Sequence, residues 1–124
     1  MNIIQTAQAP AAIGPYSQAI VHDGLVYCSG QIGIKPDGSW VDGGPAEEAT
    51  QALQNLAAVL EAAGSGLDRA LKVTVYLKDL GDFGTVNAVY ATAFGDHRPA
   101  RACVQAAALP KDALVEIDCV AALR

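Results

Sequence analysis

Apolar and polar residues change rhythm along the chain, and the changes separate strands from helices. From about Ala70 to Leu77, Val73, Val75 and Leu77 alternate with Lys72, Thr74 and Tyr76, the period of two expected of a strand with one buried face. The alternation returns from about Leu114 to Ala122, where Val115, Ile117 and Cys119 point one way and Glu116 and Asp118 the other. Between about Pro45 and Ala63 the period lengthens. Ala49, Leu53, Leu56, Leu60 and Ala63 recur at three and four, the buried stripe of a helix. Pro45 suits the first helical position, Glu47 and Glu48 complement the positive end of the dipole, and Gly64 stops the helix. A second helix is predicted as far as Phe94, with Phe83, Val86, Tyr90 and Phe94 on one face, Asp82 as its cap and Gly95 after it.

Ser17 to His22 and Leu25 to Ser29 read as two short strands around Asp23-Gly24, the dipeptide that favours a two-residue type I′ hairpin turn. The start of the chain has no regular pattern. Ala9 to Pro15 suits an ordered loop, and Gly33 to Gly44 a surface loop. A further strand is predicted from about Arg101 to Ala107, divided from the last one by Leu109-Pro110-Lys111-Asp112. The element order is β-β-α-β-α-β-β, an α+β arrangement of a mixed sheet with two helices on one face. With 124 residues and no repeats or linkers, residues 1–124 read as one domain. The second sheet face is left needing a cover.

Composition sharpens that point. Apolar residues make up 52% of the chain and charged ones only 17%, against about 25% in typical domains. Part of the surface is therefore expected to lie against another subunit. No apolar run approaches the ~20 residues of a membrane span, and Met1-Asn2-Ile3-Ile4-Gln5 lacks a signal peptide's basic start, so a soluble, cytoplasmic protein without membrane contact is expected. Cys28, Cys103 and Cys119 are odd in number and widely spaced, which suits buried free thiols rather than a disulfide framework. His22 and His97 have no ligand-spaced neighbours, so no metal is expected, and His97 beside Arg98 reads as a solvated loop residue. A net charge of −5 with eight scattered basic residues lacks the basic patch that nucleic-acid binding requires.

The chain has no glycine-rich phosphate loop, Gly-x-Ser-x-Gly elbow, His-x-x-x-His pair or Cys-x-x-Cys. Two charged residues at strands stand out instead. Arg101 begins a strand, where a guanidinium is either half of a surface salt bridge or a clamp for a carboxylate. Glu116 interrupts an apolar strand. It is either a solvent-facing residue, with or without a lysine partner, or a carboxylate in a partly dry cleft that orients or activates a water.

Gly14-Pro15-Tyr16-Ser17-Gln18-Ala19, Ser29-Gly30-Gln31, Asn87-Ala88-Val89-Tyr90 and Pro99-Ala100-Arg101, followed by Leu109-Pro110 and Val115-Glu116-Ile117, resemble in this order the RidA/YjgF/UK114 (Rid) family from about Ala9 to Ala122. The resemblance implies a chorismate mutase-like fold, a homotrimer with clefts between subunits, and no cofactor. It also implies the activity of a 2-iminobutanoate/2-iminopropanoate deaminase, hydrolysing 2-aminoacrylate, 2-aminocrotonate or their imine tautomers to 2-keto acids and ammonia. Such intermediates escape from PLP-dependent dehydratases, which gives a functional link to those enzymes. On this reading Arg101 binds the carboxylate of a small substrate, and Glu116 positions or deprotonates the attacking water. Tyr16 and Ser29 line the pocket, Asn87 supports it, and the backbone of Cys103 helps to hold the acid. Ala102 and Gln105 depart from the commonest family pattern, where hydroxyl and acidic residues are frequent. Other readings stay open: a deaminase for an aminomuconate-like or other acid, a non-catalytic 2-keto-acid sensor, an oxidant-activated holdase, and, least favoured by the acidic charge, an endoribonuclease.

Overall fold

The computed structural model describes residues 1–124. Asp23 (φ 51°) and Gly24 (φ 78°) both take the left-handed conformation that the predicted hairpin turn demands. They fold strand β2 (Ala19–His22) back onto β3 (Leu25–Gln31), pairing His22 with Leu25 and Ala19 with Cys28. The start of the chain is not irregular. Asn2–Ile4 forms strand β1, antiparallel to β2, so one more strand precedes the expected order. A three-residue edge strand shows no alternation to read, and only the neighbouring backbone makes it a strand.

The remaining elements follow the predicted periods closely. Helix α1 spans Pro45–Ala62, β4 Ala70–Leu77, helix α2 Phe83–Phe94, β5 Ala100–Gln105 and β6 Val115–Ala122. The sheet order is β1-β2-β3-β6-β4-β5, with β5 parallel to β4 and every other pair antiparallel. Both helices contribute to a single core over one face of this mixed sheet. Leu53, Leu56 and Leu60 of α1 meet Val73, Val75 and Leu77 of β4 and Val115 and Ile117 of β6 there, all buried. Each such side chain contributes roughly 1.5–3 kcal/mol on burial. Cys28 and Cys119, both free, lie opposite one another across β3 and β6 in this core. The hydrogen bond from Cys119 and then burial push the Cys28 thiol up.

Buried polar groups tie the loops to this frame. Gln18 is 3% exposed. Its amide donates to the carbonyls of Pro10 (2.7 Å) and Thr6 (3.1 Å) and accepts the Thr6 N–H (2.7 Å). The buried Glu48 carboxylate accepts the N–H of Leu114 at 2.8 Å, and burial raises its pKa.

Two local expectations are corrected. Asp82 does not cap α2 with its side chain, because it already lies in helical conformation (φ −83°, ψ 0°). Asp79 takes that part, accepting the Gly81 N–H at 2.8 Å to open a short 3₁₀ turn, Leu80–Asp82, that runs into the helix. His97 is not merely solvated: it is partly buried, with Nε2 2.7 Å from the Ala70 carbonyl oxygen. Gln105 ties β5 to the same 3₁₀ turn, accepting the Leu80 N–H at 2.8 Å. No helix is long and apolar enough to cross a membrane. The helix-free face of the sheet carries exposed Tyr27 and Val104 beside half-buried Thr74, Tyr76 and Asp118.

Candidate active site

Arg101 pairs in register with the buried Val73, so its side chain leaves the sheet on the helix side. Helix α2 meets it there with Phe83, Asn87 and Tyr90, which stand four and three residues apart on one face. Arg101 Nη1 donates to Asn87 Oδ1 at 2.7 Å. Its guanidinium carbon lies 4.7 Å from the centroid of the Tyr90 ring and 5.5 Å from that of Phe83, within cation–π range. The ion pairs of the chain are His22–Asp23 and Arg124–Asp68, so Arg101 has no carboxylate partner. The surface salt-bridge alternative therefore fails. The guanidinium is held by a neutral amide and two rings, with no carboxylate of the chain against it. The cleft beside it, about 490 Å³, is lined by Asn87, Tyr90, Phe94, Arg98, Pro99 and Arg101.

Cys103 follows two residues along the same face of β5, the edge strand. The Ala106 N–H donates to the Leu77 carbonyl at 2.8 Å. By the alternation of a parallel ladder, the N–H groups of Arg101 and Cys103 then point away from β4, off the free edge of the sheet. The half-buried Cys103 thiol has its pKa raised by burial, opposed by the Arg101 charge.

Glu116 occupies a second cleft. It pairs in register with Tyr76 of β4, on the helix-free face. About 470 Å³ of space is lined there by Tyr16, Ser29, Gly30, Pro110, Lys111 and Glu116 among others. Ser29 is fixed from both its groups: the hydroxyl donates to the Ser17 carbonyl at 2.6 Å, and the N–H to the Gln18 carbonyl at 3.0 Å. The Tyr16 hydroxyl accepts the Ile13 N–H at 3.3 Å. Burial, and then the charge of Asp118, raises the Glu116 pKa. Asp118 is itself raised by burial, against the opposing hydrogen bond from the Tyr76 hydroxyl (3.2 Å) and the charge of Lys72. Glu116 forms no ion pair with a lysine.

Tyr16, Ser29 and Glu116 thus share one cleft, Asn87 and Arg101 line the other, and Cys103 lies two residues beyond Arg101 on the same face of β5. The two sets face opposite sides of the sheet, on strands separated by β4. Sequence reasoning missed Tyr90 and Phe83 as the platform for Arg101. Their signal was the helical stripe, which reads equally well as core. It also missed the close approach of Glu116 to Gly30, where a Cβ would meet Glu116 Oε2 at 2.5 Å.

A six-stranded mixed sheet backed by two helices, with arginine and carboxylate clefts at its strand ends, belongs to a class of small proteins already known in many solved forms. The family model described as Endoribonuclease L-PSP matches residues 6–123, and the chain belongs to this family, the Rid family that its motifs resemble. It is 54% identical to the RutC family protein UK114 of Drosophila melanogaster, over 97% of this chain and 88% of that one. It is 53% identical, with the same coverage, to the 2-iminobutanoate/2-iminopropanoate deaminase of Rattus norvegicus. The crystal structure of E. coli TdcF with bound serine matches with a TM-score of 0.95 and 39% identity, covering 100% of each chain.

Proposed function

We propose that residues 1–124 act as a single-domain, cofactor-free cytoplasmic deaminase that hydrolyses 2-aminoacrylate, 2-aminocrotonate and the corresponding 2-imino acids. We infer further that it works as a homotrimer in which the arginine cleft of one copy closes on the glutamate cleft of the next. The observation that carries this reading is the unpaired, pre-aimed guanidinium of Arg101, a ready receptor for a small carboxylate. Two features support the pairing of clefts. Neither holds both groups within one chain, and the helix-free sheet face is left uncovered. The deaminase name of the rat relative and the amino acid bound to TdcF agree with a substrate bearing a carboxylate next to its reacting carbon.

The chemistry suits so sparse a site. The enamine first tautomerises to the imine by protonation at its terminal carbon. With the carboxylate held by Arg101 and by the outward N–H of Cys103, the imine carbon is fixed in orientation. A water attacks that carbon while giving a proton to Glu116, and the electron pair of the C=N bond goes to nitrogen. Glu116 returns that proton to the nitrogen to give the neutral carbinolamine, which then collapses: the hydroxyl proton passes by way of Glu116 to the nitrogen, the carbonyl re-forms, the C–N bond breaks, and ammonia leaves. Water and imine become keto acid and ammonia, with nothing left over. A carboxylate whose proton affinity is raised by burial is a stronger base for the first step. Release of such imines by PLP-dependent dehydratases supplies the substrate. RNA cleavage, named in the family description, finds little support in a chain of net charge −5 with scattered basic residues.

The test places the protein beside a serine or threonine dehydratase with semicarbazide as the imine trap and measures the keto acid that escapes trapping. Wild type is expected to raise that yield. Arg101→Ala, losing a charge-assisted bond worth about 1.5–3 kcal/mol, is expected to lose roughly 10- to 150-fold in kcat/KM. Equal protection by wild type and Arg101→Ala removes the deaminase reading. Tight binding of 2-keto acid without faster hydrolysis supports a sensor instead.

A further inference from the structure

Gly30 lies where the ladder between β3 and β6 loses register. Cys28 faces Cys119 and Gln31 faces Ile117, so three steps along β3 span two along β6. The extra residue makes a β-bulge, a device that bends a strand and re-aims what it carries. A Cβ built on Gly30 would stand 2.5 Å from Glu116 Oε2, 2.9 Å from Cδ and 3.0 Å from Cγ. The carboxylate therefore rests directly against the bare Cα.

A bulge holds a glycine for one of two reasons, a left-handed backbone or a lack of room. Gly30 has no positive φ, unlike Gly24 or Gly64, so its backbone accommodates any L-residue. Room is the reason, and the occupant matters. At Gly33 a Cβ would meet the backbone of Glu48 at 3.2 Å, an obstacle that cannot step aside. At Gly30 all three nearest atoms belong to one flexible side chain, that of Glu116, so relief needs a turn about its own side-chain bonds and no shift of backbone. The fold does not need a glycine here, but the position of the Glu116 carboxylate does.

We propose that Gly30 is a positioning residue for imine hydrolysis, its bare Cα being the seat that holds the Glu116 carboxylate against the β3 bulge. This rests on the reading of Glu116 as the group that directs the water. Around that carboxylate stand Ser29 of the bulge, Tyr76 across the ladder, Asp118 two residues along β6, and Lys111 from the turn that walls the cleft. None of them fills the space that an alanine at position 30 would take.

The experiment compares Gly30→Ala, Glu116→Gln and the double variant by steady-state kinetics, by thermal melting, and by the affinity for 2-oxobutanoate as a probe of the arginine cleft. Gly30→Ala is expected to melt within about 2 °C of wild type. It is expected to bind 2-oxobutanoate as wild type does and to lose at least about tenfold in kcat, within the range of a displaced general base. The double variant should be no slower than Glu116→Gln alone, because the seat has no work once its occupant is disabled. Full kcat in Gly30→Ala beside a slow Glu116→Gln overturns the seat and leaves the role of Glu116 standing. A markedly lower melting point for Gly30→Ala makes the glycine a requirement of the fold and overturns the proposal. Full activity in Glu116→Gln removes the role of Glu116, and the seat with it.

Discussion

Two carboxylates two residues apart share the open face of β6, and their neighbours set them different tasks. Burial raises the Asp118 pKa, but the Tyr76 hydroxyl it accepts at 3.2 Å and the charge of Lys72 oppose that rise. Glu116 has no such support. Burial and then the nearby Asp118 charge lift its pKa above the ordinary carboxylate value. If the ionised form of Glu116 takes the proton from water, kcat falls as pH drops through that raised value. Asp118→Asn removes one of the two raising causes, so the acid limb of the kcat profile is expected to move to lower pH. A limb that stays in place in the variant removes the coupling. The side on which Glu116 lies was legible in the alternation of Val115, Ile117 and Cys119. The setting of Arg101 was not. Phe83 and Tyr90 have the spacing of core residues, and Tyr90 is indeed buried; its second use, as the face under a guanidinium, depends on where β5 lies in space.

Whole elements were read best where pattern and tertiary demand agree. Strand β4 spans the alternating residues Ala70 to Leu77, and α1 ends one residue before its predicted limit. The misses fall where tertiary contacts override local signals: β1, made by pairing with β2, and the α2 start, which Asp79 opens through a 3₁₀ turn in place of Asp82. The turn Pro110–Asp112 was recognised as a break, but its strain was not readable. Lys111 (φ 57°) and Asp112 (φ 56°) are both left-handed without being glycine. An L-residue held there costs about 1–2 kcal/mol, and a glycine gives back roughly 0.5–1 kcal/mol of that in unfolded-chain entropy. Lys111→Gly is therefore expected to raise the urea midpoint by the equivalent of about 0.5–1 kcal/mol. A lower midpoint would mean that the lysine side chain itself holds the turn. Strain of this kind beside a cleft suits a wall that must keep one shape.

At the scale of the molecule, low charge and an uncovered sheet face pointed to assembly from composition and pattern alone. Which residues meet across the subunits was not legible, because no periodicity reports on a second copy. The separation of Arg101 from Glu116 turns the proposed trimer into a quantitative expectation. Arg101→Ala and Glu116→Gln are each expected to fall at least about tenfold below wild type. Mixed in equal amounts and allowed to exchange subunits, they should recover roughly one quarter of wild-type activity, the fraction of interfaces in a random cyclic assembly that join an intact arginine to an intact glutamate. No recovery after exchange proven by mass would place both groups in the same chain's site. A monomer by light scattering would remove the assembly altogether.

The facing thiols of Cys28 and Cys119 give the protein a clock of its own. Both are sealed between the helices and the middle of the sheet, and the Cys28 thiol is held protonated. Alkylating reagents therefore meet them only when the core between helices and sheet opens, whereas the half-buried Cys103 reacts on a separate schedule. The ratio of their labelling rate to that of an unstructured thiol measures the free energy of that opening. Repeated with ligand or at rising dilution, the same measurement follows how binding and association stiffen the centre of the sheet, with no foreign probe introduced.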